Sequence, residues 1–219
     1  MKAIVINSGE GGKDFINKAK KKLKMELQFV KIFKKLVSDY NKEYVRENLL
    51  KLLYDLSKKN THIIIACHSA SSCIFDILIK NNFIIYNMKI FEPIIPMCLY
   101  IKEKNYKNIL ILSTTLTEKI RWHYRLLISN KRQIKYITFP LLAKRIENHD
   151  SNITESMRRL TNQKIFLQKC DCVVLGCTHY NTIKDIITKE LKTKYNFRGD
   201  VLDSNDILIQ HLKQLHNKI

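Results

Sequence analysis

The sequence has 219 residues, of which 45% are hydrophobic and 27% charged, a composition that excludes wholesale disorder and gives a chain able to bury its own core. Its formal net charge is +19, and the 39 basic residues are 31 Lys and 8 Arg scattered along the chain. Dedicated nucleic-acid binders usually show Arg enrichment and aromatic residues on one face, so we expect no nucleic-acid partner.

The apolar runs are short throughout the sequence. None approaches the length of a membrane span, and the run near the N-terminus is too short for the core of a signal peptide. We therefore expect no membrane partner and a cytoplasmic location. In that compartment the six cysteines stay reduced, so each is either core filler or part of the chemistry.

Strand-length apolar runs alternate with amphipathic segments. Apolar residues recur at three- and four-residue spacing over residues 44–56 and 119–128, which predicts a helix in each segment. This alternation is typical of an α/β fold with parallel sheets. The predicted buried strands are residues 3–6 (AIVI), 63–66 (IIIA), 109–112 (ILIL) and 173–175 (VVL).

Two of these strands end in similar sequences. Residues 63–69 (IIIACHS) and 173–179 (VVLGCTH) both run from an apolar strand through a small residue to a cysteine. Each is preceded by another strand with a polar end, at Ser8 in one case and at Thr114 in the other. This internal similarity predicts two pseudo-symmetric doubly wound parallel-sheet lobes with the active site in the cleft between them.

Two of the three prolines lie in residues 91–96 (FEPIIP), which we interpret as the crossover between the lobes. The predicted lobes carry one cysteine each, Cys67 in the first and Cys177 in the second. Their predicted bounds are 1–92 plus 200–219 for the first lobe and 93–199 for the second.

A glycine-rich turn, residues 9–12 (GEGG), follows the first strand. A phosphate-binding P-loop would need glycine where Asn7 stands, and Ser or Thr where Asp14 follows Lys13. The dinucleotide fingerprint fails as well, because Asp14 occupies the position of its third glycine. What remains is a turn whose free N–H groups can hold another kind of anion, such as a carboxylate.

Cys67 and Cys177 are the candidate reactive thiols. Each is predicted at a strand-to-helix turn, where the positive end of the helix favours the thiolate. The alternative is a buried core thiol, which we expect for Cys73 and Cys98 because both lie in helix-like segments. A Cys–His pair with His68 or His179 as base is also possible.

A zinc site is a further alternative for the clustered residues Cys170, Cys172, Cys177 and His179. The spacing of the first two cysteines does not fit a zinc knuckle, and Cys172 opens a predicted buried strand, so we predict no metal.

Several segments resemble, in order, the aspartate/glutamate racemase superfamily, and within it most closely the glutamate racemase family. Residues 3–12 (AIVINSGEGG) resemble the family's opening strand and Asp-Ser-Gly turn, and residues 66–71 (ACHSAS) its Ala-Cys-Asn-Thr-Ala-Ser segment. Residues 174–180 (VLGCTHY) resemble its Leu-Gly-Cys-Thr-His-Tyr signature. Weaker matches are residues 91–93 (FEP), 113–117 (STTLT) and 202–204 (LDS).

The resemblance implies a cofactor-independent racemase of a small amino acid, glutamate before others, that supplies D-glutamate for peptidoglycan. The residues permit this chemistry, because two thiols on opposite sides of a substrate can remove and return its Cα proton without an organic cofactor. The implied catalytic residues are Cys67, Cys177, His179, Glu147 and Asn7. The implied substrate-binding residues are Asn7, Ser8, Val37, Ser38, His68, Ser69, Thr114, Thr117, Thr178 and His179. A homodimer is a further possibility.

The sequence departs from the family at several of these positions. The family's first-turn Asp is Asn7, its Cys-Asn-Thr is Cys67, His68 and Ser69, and its Pro-Tyr-Gly loop falls at residues 36–38 (LVS) without that motif. Two alternatives therefore stay open. One is a racemase of aspartate or a hydantoin on the same fold, and the other is a catalytically impaired relative that acts as a binding protein.

Overall fold

The computed structural model describes residues 2–23, 25–58, 61–129 and 131–216. Its strands are β1 (Lys2–Asn7), β2 (Glu26–Lys31), β3 (His62–Ile65), β4 (Ile84–Ile85), β5 (Met88–Phe91), β6 (Asn108–Ser113), β7 (Gln133–Thr138), β8 (Cys172–Gly176) and β9 (Asp200–Asp203). Its first helices are α1 (Glu10–Lys22), α2 (Lys42–Ser57), α3 (His68–Lys80), α4 (Ile94–Glu103), α5 (Thr115–Ile120) and α6 (Trp122–Leu127). The later ones are α7 (Leu142–Glu147), α8 (Lys164–Gln168), α9 (Thr178–Asn181), α10 (Lys184–Tyr195) and α11 (Ser204–His216), and short 3-10 helices form at Val37–Asp39 and Thr154–Gln163.

The strands form two sheets with matching topology. The first has the order β2-β1-β3-β5-β4, in which only β4 runs antiparallel to its neighbour, and the second has the order β7-β6-β8-β9 and is wholly parallel. The four parallel strands of the first sheet thus follow the same order as those of the second. The predicted fold class, α/β with two parallel-sheet lobes, is confirmed.

The central strands are buried on both faces, as their continuous apolar runs require. In β1 and β3, Ile4 and Ile63 face one core while Val5 and Ile64 face the core on the opposite side of the sheet. Alternate residues of β6 and β8 join the first of these cores, and the others face a core of their own. A shared apolar core therefore connects the two sheets and fixes their strand ends relative to each other.

The prediction of one helix over residues 119–128 is wrong in one respect. The segment folds as parts of two short helices, α5 and α6, which are separated at Arg121, whose φ of 60° is left-handed. That conformation costs a non-glycine residue about 1–2 kcal/mol. The Arg121 guanidinium lies 4.7 Å from the ring centroid of Tyr124 and 5.6 Å from that of Tyr136, which offsets part of this cost.

The chain passes from the first sheet to the second through α4, which begins directly after Pro93. Near the C-terminus, β9 pairs with β8 in the second sheet, while α11 packs against α1 of the first. The division into 1–92 plus 200–219 and 93–199 stays a prediction, and the pairing of β9 favours a second boundary nearer residue 203. Over the described ranges, every helix is too short or too polar to cross a membrane.

Candidate active site

Cys67 and Cys177 occupy equivalent positions in the two lobes. Cys67 is the N-cap of α3 with φ −154° and ψ 115°, and Cys177 is the N-cap of α9 with φ −147° and ψ 128°. Each follows a central strand, β3 or β8, and each is 7% exposed. Both thiols line the same cleft, so the structure brings together two cysteines that are 110 positions apart in sequence.

Eight of the ten residues predicted to bind substrate line this cleft with the two thiols. They are Ser8, Val37, Ser38, His68, Ser69, Thr114, Thr178 and His179, and the wall is completed by Leu36 and Ala143. The free volume of the cleft is about 10 Å³, roughly the space of one water molecule. The cleft is therefore too narrow for an amino acid, and substrate can bind only if part of this wall moves.

Asn7 lies behind the wall instead of in it. Its Nδ2 donates to the Ala66 carbonyl and, over 3.1 Å, to Thr178 Oγ1. Its Oδ1 accepts from the backbone N–H groups of Ser8 at 2.6 Å and Gly9 at 3.2 Å. The amide thus connects the residue before Cys67 with the residue after Cys177, a role that needs both a donor and an acceptor.

Thr117 also lies behind the wall. Its hydroxyl is 3.1 Å from Ser69 Oγ and 3.2 Å from Thr114 Oγ1, and these last two oxygens are 2.8 Å apart. Ser69 comes from α3 of the first lobe, whereas the two threonines begin α5 of the second. The three hydroxyls therefore form a polar contact between the lobes, and Thr117 is completely buried within it.

His179 stands between Cys177 and Glu147. Its Nδ1 is 3.9 Å from Cys177 Sγ and its Nε2 is 2.9 Å from Glu147 Oε2. Burial lowers the pKa of His179, but the hydrogen bonds and charges of Cys177 and Glu147 outweigh it and raise that pKa to about 9. The hydrogen bond from His179 lowers the pKa of Glu147 to about 2. Burial acts in the opposite direction, and the Glu10 N–H and the charge of Lys31 add to the lowering. The pair is therefore an imidazolium and a carboxylate at neutral pH.

The glycine-rich turn contributes to the same pair. The backbone N–H of Glu10, at the start of α1, donates to Glu147 Oε2 over 2.9 Å, so the anion bound there is the protein's own carboxylate. A Cβ on Gly9 would lie 2.3 Å from that oxygen, and one on Gly11 would lie 2.5 Å from Thr178 Oγ1. Gly11 is required because α1 approaches the backbone of α9 too closely for any side chain, whereas a side chain at Gly9 would displace the Glu147 carboxylate.

Cys67 has no such basic partner. Burial raises its pKa to about 12, although the backbone N–H groups of Ala70 and Ser69 at the start of α3 act in the opposite direction. The predicted preference of a helix N-terminus for the thiolate is thus outweighed at Cys67 by desolvation. Cys67 is a neutral thiol at physiological pH.

His68 stacks on His123, a residue the sequence analysis missed. The ring centroids are 5.1 Å apart, both side chains are buried, and no side chain or backbone group in the described part of the chain hydrogen-bonds any of the four ring nitrogens. Burial and the charge of His123 lower the pKa of His68, and burial lowers that of His123 to about 4. Both imidazoles are therefore neutral. His123 carries no local sequence signal, since only the turn at Arg121 brings it to α3.

The remaining cysteines belong to the core. Cys73 and Cys98 are buried in α3 and α4, as predicted. Cys170 Sγ donates to the carbonyls of Asn108 and Cys172. Among the described residues, no group of three or more His, Cys, Asp or Glu side chains is arranged to hold a metal ion.

Two parallel-sheet lobes of this topology match the fold of the glutamate racemases, which are cofactor-independent amino-acid racemases, an isomerase family. A glutamate racemase from Leptospira borgpetersenii is 28% identical over 221 residues, which cover 97% of this chain and 81% of that protein. The glutamate racemase structure from Aquifex pyrophilus is 25% identical, with a TM-score of 0.76 over 100% of this chain and 84% of that one. The chain belongs to the aspartate/glutamate racemase superfamily. No protein-family model matches the sequence.

Other solved structures share the fold at lower identity. The Bacillus anthracis glutamate racemase RacE1 has a TM-score of 0.82 at 19% identity, covering 99% of this chain and 81% of that one. A Francisella tularensis glutamate racemase solved with D-glutamate has a TM-score of 0.81 at 16% identity, over 99% and 82% of the two chains. An allantoin racemase from Klebsiella pneumoniae (0.68, 15%, over 99% and 88%) and an aspartate racemase from Picrophilus torridus (0.63, 16%, over 98% and 93%) also match.

Proposed function

We propose that this protein is a cofactor-independent glutamate racemase that interconverts L- and D-glutamate with Cys67 and Cys177 as its two bases. The observation that carries the proposal is the position of these cysteines, one from each lobe, in the wall of a single cleft. The similarity to glutamate racemases over nearly the whole chain supports glutamate as substrate. The product, D-glutamate, would then serve peptidoglycan synthesis.

In the proposed reaction the two cysteines act from opposite faces of the substrate. Cys177 begins as the base, because the His179 imidazolium 3.9 Å from its sulfur stabilises negative charge there. Cys67, a neutral thiol, donates its proton to the other face as the Cα proton leaves. The reverse direction exchanges these roles, so that the protonated Cys177 donates and Cys67 accepts.

The remaining residues bind and position. Removal of a Cα proton creates carbanion character, which must be stabilised by donors already in place around the α-carboxylate. The hydroxyls of Ser8, Ser69 and Thr178 line the cleft and are suited to this role. Asn7 and Thr117, predicted to contact substrate, are positioning residues in this proposal because their polar atoms bind neighbouring protein groups.

Solvent-deuterium exchange tests the proposal. The protein is incubated in heavy water with L- or D-glutamate, and deuterium at Cα is measured together with optical rotation. We expect exchange and racemisation of glutamate from both enantiomers. Aspartate and allantoin test the alternative substrates. Exchange with either of them and not with glutamate would reject glutamate as substrate, and exchange with none of the three would favour the binding-protein alternative. A cytoplasmic location, a homodimer and the absence of a nucleic-acid partner stay predictions.

A further inference from the structure

Four lysines surround a groove that adjoins the active-site cleft. We call this surface the basic groove and define it by Lys31, Lys34, Lys35 and Lys144. It has a volume of about 530 Å³ and shares Ser8 and Leu36 with the cleft wall. The groove is therefore the outer continuation of the space in which the two thiols lie.

The basic groove carries excess positive charge that comes from both lobes. Three of its lysines lie at the end of β2 and in the segment that follows, and Lys144 lies on α7. All four are exposed, and none lies within 4.0 Å of a carboxylate oxygen among the described residues. Asp39 and Glu147 also line the groove, but Glu147 is already paired with His179. The groove thus offers unpaired cations to an incoming anion.

A second groove reaches the cleft from the other side, and it carries a smaller excess of positive charge. It shares Ser38 with the cleft wall and has a volume of about 570 Å³. Its basic residues are Lys42, Lys119 and Arg125, and its acids are Glu43 and Asp76, of which Asp76 is already paired with Arg46. The segment at residues 36–38 separates the two grooves, so the molecule contains an internal comparison between a more basic and a less basic approach to one site.

We propose that the basic groove is the route by which substrate enters, and that its charge favours dicarboxylic amino acids over substrates without net negative charge. A concave surface lined with one sign of charge focuses its electric field and raises the local concentration of counter-ions. A dicarboxylic amino acid carries a net charge of about −1 at neutral pH, since its two carboxylates outnumber its single ammonium group. The inference deepens the proposed function by naming the substrate class of the same site.

The test is a threefold variant, Lys34→Gln, Lys35→Gln and Lys144→Gln, compared with wild type in glutamate racemisation. Lys31 is kept because its charge acts on Glu147. At about 20 mM ionic strength we expect kcat/KM to fall about fivefold, with kcat nearly unchanged. At about 500 mM the Debye length is only about 4 Å, so the two proteins are expected to converge. The variant leaves every residue of the cleft wall intact.

Two control variants separate this local effect from attraction by the net charge of the whole protein. Lys42→Gln with Lys119→Gln removes two cations from the second groove, and Lys189→Gln with Lys192→Gln removes two exposed cations from α10. A fivefold loss over three lysines is about 1.7-fold per lysine, or about 2.9-fold for two, and we expect both controls to change kcat/KM less than about 1.3-fold at low salt. A threefold variant that behaves like wild type, or controls that lose as much per lysine, would overturn the proposal.

Calorimetry of D-glutamate and D-glutamine binding tests the proposal without measuring turnover. D-glutamine has nearly the same shape as D-glutamate but lacks the charge of the second carboxylate. The threefold variant is expected to bind D-glutamate about fivefold more weakly than wild type at low salt, and to bind D-glutamine as wild type does. A wild type that binds glutamate in this salt-dependent way but does not racemise it would overturn the proposed function and leave the groove's role supported. A wild type that binds neither ligand would overturn both.

Discussion

Glu147 Oε2 lies 2.9 Å from His179 Nε2, and the same oxygen accepts a hydrogen bond from the backbone N–H of Glu10. One carboxylate thus joins α1 of the first lobe to α7 and α9 of the second, and also holds the imidazole that stands beside Cys177. The contact has a structural function, since it joins the lobes, and an electrostatic one, since it stabilises the imidazolium. A neutral amide at position 147 can keep the first and removes the second, so Glu147→Gln distinguishes them.

Glu147→Gln is expected to lower kcat/KM about tenfold to a hundredfold, since it removes a charge-assisted hydrogen bond worth about 1.5–3 kcal/mol. The pKa of His179, raised to about 9 largely by Cys177 and Glu147, should fall toward 6.5. The imidazolium then loses its proton at a lower pH than in wild type. The alkaline limb of the pH profile, where activity falls, therefore moves from about pH 9 to lower pH. The loss should be equal for L- and D-glutamate, because the equilibrium constant fixes the ratio of kcat/KM.

Glu103→Gln is the matched control for this variant, because Glu103 is exposed at the end of α4 and does not line the cleft. It should leave both the rate and the pH profile unchanged. If Glu147→Gln lowers activity without moving the upper limb, the carboxylate only holds the lobes together and does not set the charge of His179.

Cys67→Ser and Cys177→Ser should each reduce racemisation at least a thousandfold, since a hydroxyl is a far weaker acid than a thiol and cannot provide the base. Cys73→Ser and Cys98→Ser should keep turnover and lose about 1–3 kcal/mol of stability, because they bury a hydroxyl in apolar surroundings. Racemisation rate and free energy of unfolding are measured for all four. Full turnover in either of the first two variants would exclude the two-base mechanism.

The sequence predicted well what depends on local pattern. Four apolar runs became β1, β3, β6 and β8, the central strands, because such runs are stable only where both faces of a sheet are covered. Once these strands were assigned, Cys67 and Cys177 had to lie at corresponding strand ends. The division of α5 from α6 and the stacking of His123 on His68 were not predictable, because both depend on the packing of aromatic side chains that are distant in sequence.

The role of Asn7 could also not be predicted from the sequence. An amide and a carboxylate are interchangeable in size, and only the structure shows that Nδ2 donates to the Ala66 carbonyl. The side chain is completely buried, so replacing this donor by an acceptor would place two oxygens together without water between them.

Asn7→Asp is therefore expected to destabilise the protein by about 1–3 kcal/mol and to lower turnover in both directions, although it restores the residue typical of the family. Asn7→Ser, which replaces the amide donor by a hydroxyl donor and adds no charge, should cost less. Denaturant unfolding and racemisation rates of both variants are the measurements. A rise in turnover for Asn7→Asp would show instead that the carboxylate assists Cys67.

The stacked pair His68 and His123 makes stability depend on pH. Burial holds the pKa of His123 at about 4, and burial together with the charge of His123 holds that of His68 below its usual value, whereas both histidines titrate near 6.5 when unfolded. The unfolded chain therefore binds more protons than the folded one below pH 6.5. Stability is fully present above that pH and is lost as the pH falls toward 4. For His123 alone the loss is about 2 kcal/mol at pH 5.

His123→Phe keeps an aromatic ring against His68 and removes the titrating group. When the pH is lowered from 7.5 to 5, the free energy of unfolding of His123→Phe should decrease by about 2 kcal/mol less than that of wild type. Contributions from His179 and Glu147 are common to both proteins and cancel in this comparison. His149→Asn is the control, because His149 is exposed and Asn tolerates its positive φ of 53°. Equal losses for wild type and His123→Phe would mean that the buried pair accepts protons as readily as the unfolded chain.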